Sequence, residues 1–148
     1  MVTKMLRIFA VGKMKDKRLA GLLDEYIKRC RPLSPVEVVE IKDSTSEKED
    51  RELATRLNST SGTGLVVAMD EKGEDLDSER FAKLLEGHGS ISFVVGGADG
   101  LGSEIRQLAD RAVRLSSLTW THEMARVLLA EQIYRGLSIL RGKPYHRR

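Results

Sequence analysis

The chain has 148 residues, 41% hydrophobic and 32% charged, with a formal net charge of +3 and a sequence pI of about 9.1. That size favours a single domain over residues 1–148, able to bury its own core without disulfides or metals. The composition excludes a low-complexity or disordered chain. No stretch approaches the ~20 apolar residues of a membrane span, and the N-terminal apolar run is too short for a signal-peptide core. The single cysteine, Cys30, forms no internal disulfide and points to helix packing, a reducing compartment and a cytoplasmic address.

Short apolar runs alternate with helical periodicity. Leu6–Val11 reads as a first strand. Leu19–Cys30 repeats apolar residues at helical spacing, with Leu19, Leu22, Leu23, Tyr26 and Ile27 on one face. Pro32 and Pro35 end that helix. Val36–Ile41 alternates like a half-exposed strand at a sheet edge. Ser46 and Glu49 have capping-box spacing and open a helix through about Leu57. Gly62–Gly64 is a turn, and Leu65–Met69 a strand covered on both faces.

Asp77 or Ser78 caps a helix to about Glu86. Ile91–Val95 is a buried strand broken by Gly96-Gly97. Ser103–Ala112 reads as a helix, and Arg114–Leu118 as a short fifth strand or extended loop. His122–Arg141 is the last helix, with Leu129, Ile133, Leu137 and Leu140 as its core stripe. The order implies an α/β fold: a mostly parallel sheet of five to six strands with helices on both faces.

Charge is distributed unevenly. Lys13, Lys15, Lys17 and Arg18 crowd the turn after the first strand; Arg141, Lys143, Arg147 and Arg148 crowd the tail. Acidic residues gather between Glu37 and Asp77. Such asymmetry fits a polyanion facing one side.

Ligands of open parallel sheets bind beyond the strands' carboxyl ends. Three such ends stand out: Ala68–Gly73, Val94–Gly100 and Leu115–Trp120. The glycines do not have dinucleotide-fingerprint spacing, and no P-loop occurs. His122 opens the last helix, where the positive helix end favours a neutral imidazole able to accept a proton or orient a partner. Arg126 lies one turn on. Glu131 and Arg135 have the i,i+4 spacing of a surface ion pair. Tyr145-His146, flanked by cations, suits stacking on an unpaired base and gripping phosphate. The dispersed histidines and lone cysteine predict no metal site.

Taken together, Met69-Asp70-x-x-Gly73, Phe93–Gly97 with Gly100-Leu101, Leu115-Ser116-x-x-Thr119-x-x-His122, Arg126-Val127, Glu131-Gln132-x-Tyr134-Arg135 and Pro144-Tyr145-His146 resemble the ribosomal RNA large subunit methyltransferase H family of the SPOUT superfamily. The opening Ala10-Val11-Gly12-Lys13 matches too, so the resemblance covers about Leu6 to His146. It implies a C-terminal trefoil knot, which no periodicity shows. It implies S-adenosylmethionine as methyl donor, a homodimer whose partner tail completes each site, and N3-methylation of a pseudouridine in 23S ribosomal RNA of the assembled ribosome, with no membrane. By position, Met69, Gly96, Leu115, Ser116, Ser117, Leu118, Thr119 and Trp120 match the donor site. Met69 replaces the family's usual Leu. Thr121 replaces its usual Pro, which predicts a looser entry to the last helix.

The resemblance makes His122 the leading candidate base or orienting group, with His146 of the partner subunit second. Arg126 or Arg135 would stabilise charge on the target base or bind phosphate, Glu131 would orient an arginine, and Tyr145 would stack on the base. Two other readings stay open at this point: a transfer-RNA methyltransferase of the same superfamily, and a non-catalytic RNA-binding module.

Overall fold

The structure, a computed structural model, describes residues 5–60 and 64–147. The turn expected at Gly62–Gly64 falls mostly outside them, as does Arg148. Five strands and five helices alternate: β1 (Met5–Val11), α1 (Lys17–Cys30), β2 (Val36–Ile41), α2 (Ser46–Thr60), β3 (Leu65–Asp75), α3 (Ser78–Leu84), β4 (Ser90–Val95), α4 (Ser103–Leu108), β5 (Arg111–Arg114) and α5 (His122–Leu140). Among the described residues the strands form one sheet in the order β2-β1-β4-β3-β5, every pair parallel. The alternating Val36–Ile41 run therefore does form an edge.

Strand side chains alternate between two cores. Leu6, Ile8 and Ala10 of β1, with Ile91, Phe93 and Val95 of β4, face a layer of α1, α3 and α5. Phe9, Val11 and Val94 face α2 and α4. The predicted stripe of α5 is seated in the first core, with Leu129, Ile133 and Leu137 fully buried and Leu140 packed against its edge. Cys30 is buried in the same core, and that burial pushes its thiol up to about 12, so it is an inert packing group. Leu22 departs from the predicted apolar face of α1: it is 46% exposed.

The region after β4 departs most from its sequence pattern. The expected helix Ser103–Ala112 stops at Leu108. Asp110 exchanges bonds with Val66, its N–H donating to the Val66 carbonyl and its carboxylate accepting the Val66 N–H, both at 2.8 Å. That exchange starts β5 at Arg111 on the flank of β3, so the fifth strand lies upstream of Arg114–Leu118, and Leu115 begins a loop. β3 likewise outruns its apolar segment. It reaches Asp75 through a register shift between Met69 and Glu74. Gly73 permits this, because a Cβ there would sit 2.6 Å from the Ala112 backbone.

One cap differs by a residue from expectation, and one matches it. At α2 the hydroxyl of Thr45, not Ser46, accepts the Lys48 N–H at 3.3 Å, and Glu49 reaches back to the Ser44 N–H at 2.8 Å. Asp77 caps α3 through the Arg80 N–H. α2 and α4 are locked by Asp50, 7% exposed, whose carboxylate accepts the N–H groups of Gly102, Glu104 and Ile105 at 2.9, 3.0 and 3.2 Å. Asp50→Ala would strand those donors, at about 3 kcal/mol. Urea denaturation should show that loss, with Asp50→Asn recovering part of it.

Candidate active site

Because the sheet is parallel, the carboxyl ends of β1, β3, β4 and β5 open on one side. A cavity of about 480 Å3 lies there, walled by Met69–Glu71, Val95–Leu101, the Leu115–Thr121 loop apart from Ser117, and His122 and Ala125 of α5. The Gly96–Gly100 segment is a closed turn: the Gly100 N–H donates to the Gly97 carbonyl at 3.0 Å and Gly100 has φ +77°. A Cβ on Gly96 would lie 2.6 Å from the Gly100 carbonyl carbon. Glycine is required there to keep the turn folded against the cavity.

The Leu115–Trp120 loop is stapled by its own side chains. The Ser116 hydroxyl accepts from the Leu118 N–H at 3.0 Å and the Trp120 indole N–H at 2.9 Å. Thr119 donates to Glu71 across the cavity mouth at 3.1 Å. Of the eight residues expected at the donor site, seven line this cavity and Ser117 does not. Sequence reasoning missed the polar rim. Arg106 from α4 pairs with Asp70 at 2.9 Å, and only the parallel topology brings that helix alongside the end of β3.

α5 enters the site firmly. Thr121, expected to loosen the entry, is the N-cap instead: its hydroxyl accepts the Met124 N–H at 3.2 Å. Glu123 accepts the N–H groups of Lys15 and Asp16, each at 3.1 Å. His122 is thereby held half-buried against the cavity. Arg126 has a different task from the one expected. It is 1% exposed, pairs with Glu40 at 2.5 Å, and donates to the Val11 and Gly12 carbonyls at 3.1 Å each. It lines neither this cavity nor the next, so its charge is spent fixing α5 to the ends of β1 and β2.

The remaining candidates converge on a second cluster. Glu131 accepts from Arg135 at 2.6 and 3.0 Å and from the Tyr145 hydroxyl at 3.3 Å. Arg135 lies 4.8 Å over the Tyr145 ring, and Tyr134 packs edge-on against that ring at 4.6 Å. Tyr145 is thus engaged within its own chain, its ring half-buried there. Burial, a bond to Tyr26 and the Glu131 charge hold its hydroxyl above the usual tyrosine range, so it stays a donor. The bond to Glu131 raises the Arg135 guanidinium further still.

Arg135 also meets Nδ1 of His146 at 3.1 Å. A guanidinium has no acceptor, so Nδ1 accepts, and neutral His146 carries its proton on Nε2. His146 therefore offers a hydrogen-bond donor, while the His122 ring has no partner among the described residues. His146 lines a second cavity of about 540 Å3 with Ser78, Arg114 and Gln132. Met69 and Leu115 belong to both cavities and form the wall between them. Among the described residues, no group of three or more His, Cys, Asp and Glu side chains is placed to hold a metal ion.

A deep cleft at the strand ends of a parallel sheet, closed by a stapled loop and the start of the last helix, is the layout of a small-molecule site in an α/β enzyme. Comparison with known proteins specifies the class. The family model described as "Predicted SPOUT methyltransferase" matches residues 5–146. Among solved structures, the tRNA (m1G37) methyltransferase of Aquifex aeolicus shares the fold with a TM-score of 0.63 at 16% identity, over 98% of this chain and 76% of that one. The SpoU methyltransferase AviRb of Streptomyces viridochromogenes, solved with AdoMet, gives 0.50 at 15% identity, over 95% and 61%.

Relatives in sequence are more specific. Proteins named ribosomal RNA large subunit methyltransferase H are 41% identical in Prochlorococcus marinus over 95% of this chain and 94% of the relative. They are 39% identical in Rhizobium meliloti, over 95% and 97%, and 35% in Clostridium perfringens, over 96% and 99%. The chain belongs to the SPOUT methyltransferases and, within them, to the ribosomal RNA large subunit methyltransferase H family.

Two substitutions separate the roles of these residues. Arg126→Met breaks a buried pair and should cost about 3 kcal/mol of stability in urea denaturation. Gly96→Ala should keep the fold but reduce methyl-donor affinity at least tenfold by calorimetry, because the added methyl must push the Gly100 turn aside.

Proposed function

We propose that this chain transfers a methyl group from S-adenosylmethionine to N3 of a pseudouridine in 23S ribosomal RNA, acting as a homodimer on the assembled ribosome. The observation that carries this reading is one cavity on which the Gly96 turn, the stapled Leu115–Trp120 loop and His122 converge. Its volume suits a nucleoside-sized ligand. The Gly96 position, which tolerates no Cβ, lets backbone approach that ligand closely. The names of the relatives supply the RNA.

In this reading the C-terminal segment is threaded as a trefoil knot. The chain leaves β5 at one edge of the sheet and returns past the ends of β3 and β4 to dock α5 on β1. The half-buried Tyr26, Tyr134 and Tyr145, with exposed Leu22, give α1 and α5 a surface suited to a second subunit.

Met69, Gly96 and the Leu115–Trp120 loop would hold the donor, which supplies a methyl group made electrophilic by its sulfonium. The chain's own groups deal with the acceptor. N3 becomes nucleophilic only once its proton leaves, and His122, with no partner on its ring among the described residues, takes that proton. The negative charge that loss of the N3 proton leaves on the base carbonyls, which the new N–C bond would discharge as the methyl–sulfur bond breaks, would be met by donors. His146 Nε2–H is aimed by Arg135, and Arg135 is itself held by Glu131. Met69 and Leu115, which line both cavities, would flank the donor and the base where the two meet.

His122→Ala should lower the methylation rate of ribosomes by 100-fold or more with donor affinity within twofold of normal. His146→Ala should cost about tenfold, as loss of a donor rather than of a base. An unchanged rate in His122→Ala would remove the base assignment. Mass spectrometry of ribosomal RNA from a deletion strain tests the substrate: the methylpseudouridine should disappear, and its persistence would refute the reading.

A further inference from the structure

We propose that Arg114 is a second hydrogen-bond donor to the target base, serving the carbonyl oxygen that His146 does not reach; this rests on the function proposed above. In a uracil-type base N3 lies between two carbonyls, and loss of its proton spreads negative charge over both oxygens. The single Nε2–H of His146 can meet one of them. A site that favours the deprotonated base has use for a donor at each.

Arg114 ends β5 and directly precedes Leu115, which lines both cavities. It lines the second cavity together with His146. The other polar side chains of that cavity have little left to give an oxygen. The Ser78 hydroxyl donates to Gln132, and the Gln132 amide nitrogen donates to Glu131, each at 2.9 Å. Asp77 accepts the Arg80 N–H as the cap of α3, and Glu79 is a second carboxylate beside it. Arg114 and His146 are left as the side-chain donors of this wall not hydrogen-bonded to a protein acceptor among the described residues.

The Arg114 guanidinium is also poorly satisfied by its own chain. Its Nε is buried and makes no hydrogen bond; a buried donor left unmet costs about 1–3 kcal/mol. Its ion partner, Asp75 on β3, stands 3.4 Å away with a side chain 70% exposed, so solvent weakens the pair. Arg111, on the same strand, is held differently: it makes two hydrogen bonds to Glu74, at 3.0 and 2.9 Å. One arginine of β5 is therefore committed to the sheet, and the other is available at a cavity wall. A phosphate entering that cavity would also face Asp77 and Glu79. A base that is neutral until its proton leaves avoids that repulsion on entry, and is the better match.

The test compares wild type, Arg114→Gln, Arg114→Lys and Asp75→Asn in methylation of purified ribosomes, with kcat and KM separated and donor affinity read by calorimetry. Arg114→Gln should lower kcat on the order of 100-fold, more than loss of the neutral His146 donor, because the guanidinium is charged. KM for ribosomes and donor affinity should stay unchanged. The deficit should shrink as pH rises, since removal of the N3 proton then depends less on a neighbouring cation. Arg114→Lys should recover part of the rate, and Asp75→Asn should keep the wild-type kcat. Equal losses in Arg114→Gln and Asp75→Asn would overturn the proposal, by reducing Arg114 to a strand-pairing residue. So would a raised KM with kcat unchanged, which would make Arg114 a phosphate contact, or a wild-type rate in Arg114→Gln. Failure of the wild-type protein itself to methylate ribosomes would instead refute the underlying function, and this inference with it.

Discussion

One buried guanidinium holds the site together. Arg126 reaches from the second turn of α5 to the carbonyls closing β1 and to Glu40 on β2. Those two strands lie at one side of the sheet, whereas the chain arrives at α5 from β5 at the opposite edge. The Leu115–Thr121 loop must span that distance, and Arg126 fixes where it ends. A lysine could not serve equally well, since a single ammonium lacks the fork that reaches two carbonyls and a carboxylate at once.

From that anchor the chemistry follows by proximity. Glu123 joins the start of α5 to the β1–α1 loop, Thr121 caps it, and His122 is left facing the cavity between them. Further along the same helix, Glu131 and Arg135 aim His146. The two imidazoles thus differ by environment: one meets a guanidinium on Nδ1, and the other has no ring partner among the described residues. In the proposed reaction, which needs both proton removal and charge stabilisation, that difference would divide the two tasks between them.

Much of this was readable in advance. The apolar runs at Leu6, Leu65 and Ile91 and the α5 stripe are strong signals because burial on both faces or at helical spacing leaves few alternatives. Resemblance placed seven of the eight expected donor-site residues on one cavity: Met69, Gly96 and five of the six in Leu115–Trp120. The β5 region misled because Ser103–Ala112 has helical periodicity, while the bond exchange between Asp110 and Val66 is a tertiary event that no local pattern records. Arg126 misled for a related reason: a cation in a functional stretch says nothing about which of its neighbours will engage it. Asp50, Glu40 and Arg106 escaped notice because their partners are remote in sequence.

The position of α5 in the order of synthesis carries a further consequence. Its buried residues complete the core that also receives α1 and α3, yet they are made after both. Until Leu137 is available, the inner faces of two earlier helices and one side of the sheet stay open to water. The core therefore closes only once α5 has been made, and before that point the nascent chain has the greatest need of protection from aggregation.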